Sequence, residues 1–398
     1  MQLYNTQTGR LERFTDRDGM VGVYVCGVTP YDTTHVGHAF TYLTFDILIR
    51  HLRGQGSTVT YVQNVTDIDD DILRRARELN VAWDELGRRE TTRYLEDMAA
   101  LNWMPPDHFV LATNHVPEML TLIAALVEGG HAYESNGSVY FSVDSDPEFG
   151  KLSHLARPEM LPVANERGNY PDDPNKRDPL DFVLWQAAAP GEPTWESPYG
   201  PGRPGWHIEC SAMATRYLGP TIDIHGGGQD LIFPHHECEI AQSEQATGEQ
   251  PFARFWVHTG LVEYQGEKMS KSLGNLVLVR DVLQEYAGDV LRLYLSSHHY
   301  REGWEYREDE VDEWAGLAND LREAVAFPAY GIEEEVDVAP YREQFFNALD
   351  DDLNVPAAIA ALREVGQAIL QAPEEDDVRD AQETLREMAD VLGLTLNG

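Results

Sequence analysis

Cysteine is scarce in this chain, with 3 in 398 residues. So few thiols exclude a disulfide framework and suit a reducing compartment. No uninterrupted apolar run is long enough to span a bilayer, and no segment reads as a secretory leader, so a cytoplasmic protein without a membrane partner is expected. Basic residues are few as well: 30 Lys and Arg stand against 68 Asp and Glu, a formal charge of −38. That balance is unfavourable for a polyanionic partner. A high-salt cytoplasm produces the same surface, so acidity alone does not exclude RNA. Internal repeats are absent, and the acidic runs Glu333-Glu334-Glu335 and Glu374-Glu375-Asp376-Asp377 read as solvated linker or helix-start charges.

What is present begins with His35-Val36-Gly37-His38 and, far downstream, Lys268-Met269-Ser270-Lys271-Ser272. Residues 21–25 alternate like a strand, residues 27–31 read as a turn, and a helical pattern opens near His38 with Phe40, Leu43 and Ile47 on one face, stopping before Gly54. Residues 58–62 read as the next strand. This β-α-β unit aims the histidines at the carboxyl end of a parallel sheet, where doubly wound folds bind ligands. Two imidazoles at a helix start and two lysines on a glycine-flanked loop can hold the phosphates of ATP and neutralise the charge of departing pyrophosphate. His35, His38, Lys268 and Lys271 are therefore the candidate catalytic residues for ATP-dependent activation of a carboxylate.

These residues resemble the class I aminoacyl-tRNA synthetase superfamily. Tyr24-Val25-Cys26-Gly27, Asn64-Val65-Thr66-Asp67-Ile68-Asp69-Asp70, Gly205-Trp206-His207-Ile208-Glu209-Cys210 and Phe233-Pro234-His235-His236-Glu237 look like its cysteine-activating branch. The resemblance, running from about residue 3 to 306, implies cysteine and ATP as substrates, with Mg2+ accompanying the nucleotide. By residue type alone Cys26 and Cys210 read as small buried apolar residues. The resemblance makes them, with His235, ligands of a catalytic zinc whose open position takes the substrate thiol. Glu239, one helical turn after His235, is a fourth ligand in cysteinyl-tRNA synthetases and is commonly replaced in the related amino-sugar ligases. Cys238 reads as a packing residue. A zinc ion distinguishes a thiol from a hydroxyl far better than the roughly hundredfold an apolar pocket achieves between close analogues, so no editing domain is expected.

Gly226-Gly227-Gly228-Gln229-Asp230 read alone is a flexible turn after a strand at 221–224. The resemblance makes Gly228, Gln229 and Asp230 substrate contacts, with Asp230 facing the α-ammonium group. It likewise implies Cys26, Gly27, Val28, Thr29, Asn64 and Val65 around the substrate and adenylate, Trp206 and Thr66 as walls of the cysteine pocket, and Thr41 and Val262 as contacts to the adenylate.

The acceptor of the activated cysteine divides the branch. The stretches 29–32, 166–171 with 176–181, 274–279 and 299–305 look like the mycothiol-pathway ligase, which joins cysteine to the amine of glucosaminyl-inositol. The stretches 223–225 and 235–244 look like cysteinyl-tRNA synthetase, and 166–171 departs from the ligases' usual Glu-Arg-Gly-Gly-Asp-Pro. The amino sugar is the first expectation, since the chain has no room for the extra C-terminal anticodon-binding module of the tRNA enzymes. Cysteinyl-tRNA synthetase acting on tRNA-Cys is the alternative, and a cysteine- or zinc-binding relative without catalysis a third.

The expected fold class is α/β: a Rossmann-like doubly wound parallel sheet over residues 1–297, with a connecting insertion at about 117–185, followed by a helical bundle over 298–398. A monomer is expected. Helices are expected at 83–101, 119–126 and 376–392, a hairpin at 132–143 and a polar loop at 166–178.

Overall fold

Val21, Val23, Tyr24 and Val25 are almost wholly shielded from water, as an inner strand of a sheet covered on both faces requires. They lie in strand Met20–Val28 at the centre of a five-stranded sheet in a computed structural model that describes residues 1–31, 34–269 and 274–396. The strands run in the spatial order Ala253–Thr259, Ile222–Gly228, Met20–Val28, Thr58–Val65, His108–Leu111, every pair parallel. Strand order therefore reverses between Met20–Val28 and Ile222–Gly228, which opens a crevice at their carboxyl ends. Cys26 lies near one lip and Gly226, Gly227 and Gly228 on the other.

Helix Val36–Gly54 follows the first strand, and His35 caps it: its Nδ1 accepts from the Gly37 amide at 3.1 Å. The helix runs through Gly54 rather than stopping before it, because Gln55 completes the last turn by donating its amide to His51 and Arg53. Thr58–Val65 is the next strand, three residues longer than its apolar alternation indicates. A Cβ on Gly226 would lie 2.1 Å from the Phe45 ring, so that glycine lets the helix close onto the sheet.

The insertion holds helix Val116–Glu128, the hairpin strands Ala132–Ser135 and Ser138–Phe141, and helix Arg157–Glu166. Its antiparallel sheet continues through Phe182–Ala187 to Gly202–Pro204, beyond residue 185, on a strand too short to show a pattern. Helix Arg157–Glu166 was not expected, since two prolines mask its period. Helices Glu308–Ala326, Ala339–Asp350, Val355–Leu370 and Arg379–Val391 complete the chain. Their apolar faces share one core with helix Val36–Gly54 and helix Gly288–Ser296. Arg292, buried in that core, pairs with buried Asp46 and donates to the carbonyls of Leu101 and Leu392. Among the described residues no helix is long and apolar enough to cross a membrane.

Candidate functional site

Four segments distant in sequence bring one donor set together. Cys26 comes from the central strand, Cys210 from helix Trp206–Leu218, His235 from the turn Ile232–His236 and Glu239 from the first turn of helix Glu237–Thr247. Their ligand atoms all lie within 4.8 Å of one another and all four residues are buried. Cys26 Sγ is 3.7 Å from Cys210 Sγ and 3.4 Å from Glu239 Oε1, and His235 Nε2 is 3.2 Å from the same oxygen. A tetrahedral zinc with sulfur at about 2.3 Å and nitrogen or oxygen near 2.05 Å separates its donors by about 3.8 Å for two sulfurs, about 3.5 Å for sulfur and oxygen and about 3.3 Å for nitrogen and oxygen. The donor set therefore fits such an ion in element types and spacing. Burial pushes both thiols above their usual range and, with His207 and His225 adding to it, holds His235 well below the usual imidazole range. These groups would be neutral in an empty cluster, and a dication reverses that balance for the thiols.

A second layer of imidazoles surrounds the set. His207 Nδ1 is 2.8 Å from His235 Nδ1, so the remaining His235 nitrogen faces the cluster. His225 Nε2 is 2.9 Å from Glu239 Oε2, and His236 Nε2 is 3.3 Å from Cys26 Sγ. His236 Nδ1 in turn meets His258 Nε2 at 2.8 Å, and His258 Nδ1 meets Thr6 Oγ1 at 2.7 Å. Burial presses His207 and His258 down to about 3, so both are neutral imidazoles. Cys26, His225, His236 and Glu239 form an overlapping donor set. The hydrogen bonds just described also suit His225 and His236 to the orienting role that outer partners play around metal ligands. His207, His225 and His236 lay in stretches quoted from the sequence but were given no role there, and His258 lay in none. The available signal was the concentration of histidine in otherwise apolar stretches.

The lip that carries Cys26 is built by close backbone contact. A Cβ on Gly27 would lie 1.6 Å from the Asn64 carbonyl oxygen, so only glycine lets the strand ends meet there. The Gly27 amide donates to Asn64 Oδ1 at 2.8 Å, Asn64 Nδ2 to Thr66 Oγ1 at 3.2 Å, and the Thr66 amide to the Val28 carbonyl at 3.0 Å. Val28 pairs with Val65 across this junction, and the Thr29 carbonyl accepts from the Tyr31 amide. The Trp206 ring stacks on His235 with centroids 4.2 Å apart. Gln229 and Asp230 form a short helical turn directly after Gly228.

His35 and His38 stack with ring centroids 3.8 Å apart at the start of helix Val36–Gly54. Thr41 Oγ1 is 2.8 Å from Thr259 Oγ1, which links this helix to the edge strand. Val262 opens a small sheet made of Val262–Tyr264, Glu267–Lys268 and Trp304–Glu305, and this sheet carries Lys268. Lys268 Nζ lies 3.1 Å from Asp230 Oδ2. Lys271 lies outside the described residues. In the expected polar loop, Arg167 reaches back to the segment after Gly228 and donates to the carbonyls of Asp230 and Phe233.

A doubly wound sheet with a thiol, imidazole and carboxylate cluster at its switch point defines a class of α/β proteins built to bind a nucleotide beside a soft-metal site. Comparison with known proteins narrows the class. Residues 14–315 match the family described as tRNA synthetases class I (C) catalytic domain, and residues 344–397 match a DALR domain. The chain belongs to the class I (C) tRNA synthetase family. It is 45% identical over 401 residues to the cysteine--tRNA ligase of Dehalococcoides mccartyi, covering 100% of this chain and 86% of that protein. It is 44% identical over 394 residues to the L-cysteine:1D-myo-inositol 2-amino-2-deoxy-alpha-D-glucopyranoside ligase of Thermomonospora curvata, covering 98% of this chain and 93% of that one. Among solved structures, Mycobacterium tuberculosis methionyl-tRNA synthetase in complex with methionyl-adenylate shares the fold, with a TM-score of 0.67 at 16% identity over 94% of this chain and 89% of that one.

Proposed function

We propose that this chain is a zinc-dependent ligase that converts cysteine and ATP to cysteinyl-AMP and transfers the cysteinyl group to the terminal hydroxyl of tRNA-Cys. Adenylation rests on family membership, which makes the chain an ATP-dependent ligase, and on the cluster at the switch point. The observation that carries the acceptor is Glu239: it stands within 3.4 Å of Cys26 Sγ and 3.2 Å of His235 Nε2. A metal-directed glutamate at this place is the pattern of the tRNA-charging side of the branch. This reading reverses the order in which the two acceptors were expected.

Bound by Cys26, Cys210, His235 and Glu239, zinc would favour a substrate thiolate over the hydroxyl of serine. Asp230 takes the substrate ammonium group, while Trp206 and Thr66 wall the side chain. Held there, the cysteine carboxylate attacks the α-phosphorus of ATP and the bond to pyrophosphate breaks. His35 and His38 line the phosphates, and Lys268 and Lys271 offset the charge that gathers on the leaving group. Mg2+ accompanies the nucleotide. The acceptor then attacks the mixed-anhydride carbonyl and AMP leaves.

A second acceptor is favoured by a different observation. A charge of −38 repels a polyanion, whereas the amine of glucosaminyl-inositol is attracted to it. Supplying ATP and labelled cysteine with either total tRNA or glucosaminyl-inositol, at low and high salt, tests the two. Cysteinyl-tRNA as the product supports the first reading. An amide of the sugar with no charged tRNA overturns it and supports the second.

A further inference from the structure

Arg167 does not belong to the sheet, the cluster or the lysine loop, yet it is tied to the segment that joins them. Helix Arg157–Glu166 ends where the amide of Asn169 returns to the Ala164 carbonyl at 3.1 Å, and Gly168 adopts the left-handed conformation (φ +91°) that such a stop requires. The loop beyond is braced at Asn169, whose Nδ2 donates to Asn165 Oδ1 at 2.7 Å and whose Oδ1 accepts from Lys176 Nζ at 2.6 Å. Arg167 therefore projects from a fixed base. One of its guanidinium nitrogens donates to both the Asp230 and the Phe233 carbonyl.

Those two carbonyls bracket the turn that leaves strand Ile222–Gly228 and delivers His235. At the start of the turn a Cβ on Gly228 would lie 2.6 Å from Asp230 Oδ1, so the Asp230 carboxylate folds back over the end of the strand. Its position then depends on the backbone of the turn as well as on Lys268, 3.1 Å from its Oδ2, and the Arg167 guanidinium ties that backbone to the insertion. The turn is also close to the metal ligands, but the His235 ring is independently held by His207 and Trp206. Loss of the guanidinium would therefore displace Asp230 more than it displaces His235.

We propose that Arg167 is a positioning residue for amino-acid recognition: by holding the Asp230 and Phe233 carbonyls, it sets the Asp230 carboxylate where the substrate ammonium docks. The inference rests on the reading of Asp230 as the ammonium partner. The test is calorimetric titration of the zinc-loaded full chain with cysteine and with 3-mercaptopropionate, which keeps the thiol and carboxylate and lacks the ammonium, in the wild type, Arg167→Met and Arg167→Lys. Hydrogen bonds to a charged group at a partly buried site predict that Arg167→Met weakens cysteine about tenfold. It should leave 3-mercaptopropionate, the zinc content and the KM for ATP within about twofold of wild type, and Arg167→Lys should recover part of the loss. Unchanged cysteine affinity, equal weakening of both thiols, or loss of zinc overturns the positioning role. If wild type binds cysteine no better than 3-mercaptopropionate, the Asp230 assignment fails and takes this inference with it, a result distinct from failure at Arg167 alone.

Discussion

Lys268 Nζ and Asp230 Oδ2 stand 3.1 Å apart, so the carboxylate proposed for the substrate ammonium pairs with a lysine proposed for the phosphates. On that proposal the substrate ammonium and Lys268 would compete for one acceptor. Binding of cysteine should release Lys268 toward ATP. The pair is half-exposed, and such pairs are worth at most about 1 kcal/mol. Cysteinol, which has the thiol and ammonium but no carboxylate to activate, should thus tighten ATP by about two- to fivefold, and Lys268→Ala should abolish the coupling. An ATP affinity indifferent to cysteinol in the wild type contradicts the competition.

The proposed metal site makes a prediction of its own. Cys210→Ser should lose zinc and cysteine-dependent pyrophosphate exchange while keeping the circular dichroism of the wild type. Glu239→Ala should lower zinc affinity by about tenfold or more in competition with a chelator, on the scale at which metal sites respond to the loss of a coordinating or orienting partner. A Glu239→Ala protein with wild-type zinc affinity would place Glu239 outside the ligand set and return weight to the amino-sugar reading.

Two glycines predict opposite signs. Gly27→Ala pushes a methyl group into the Asn64 carbonyl, 1.6 Å away, and should cost about 1–3 kcal/mol along with most of the cysteine affinity. Gly316→Ala, in helix Glu308–Ala326 with open space around its Cα, should stabilise by about 0.5–1 kcal/mol without changing activity. Urea unfolding of both variants measures the difference.

The Arg292 and Asp46 pair joins helix Gly288–Ser296 to helix Val36–Gly54, which His35 caps. Arg292→Met should destabilise by about 3 kcal/mol, the low end for breaking a buried pair, because Asp46 keeps Arg50 at 3.0 Å. An unfolding midpoint equal to wild type would show that the packing, not the pair, joins these helices.

The cluster was legible only through the family resemblance, because by residue type alone Cys26 and Cys210 read as buried apolar residues, while the one-turn spacing of His235 and Glu239 gave a shared face. The parallel sheet was legible because the alternating strand pattern at 21–25, the helical pattern that follows it and the strand at 58–62 make one β-α-β unit. Tertiary convergence was not. His225 and His236 lay in quoted stretches without a role and His258 in none, and only the packing of strands Ile222–Gly228 and Ala253–Thr259 with the turn Ile232–His236 makes the three neighbours. Arg167 was legible as part of a polar loop, but its reach to Asp230 depends on helix Arg157–Glu166, whose prolines conceal its period. The short strand Gly202–Pro204 carries too few residues to signal its pairing.

The most direct measurement of the central claim is exchange of labelled pyrophosphate into ATP by the zinc-loaded chain, with cysteine or serine as the amino acid and with chelator-stripped protein as the comparison. The account predicts rapid exchange with cysteine, at least about a hundredfold less with serine, the limit of apolar discrimination that a metal site should surpass, and none after the metal is removed. Folded, zinc-loaded protein that binds cysteine yet supports no exchange would contradict adenylation and identify a cysteine-binding relative without catalysis.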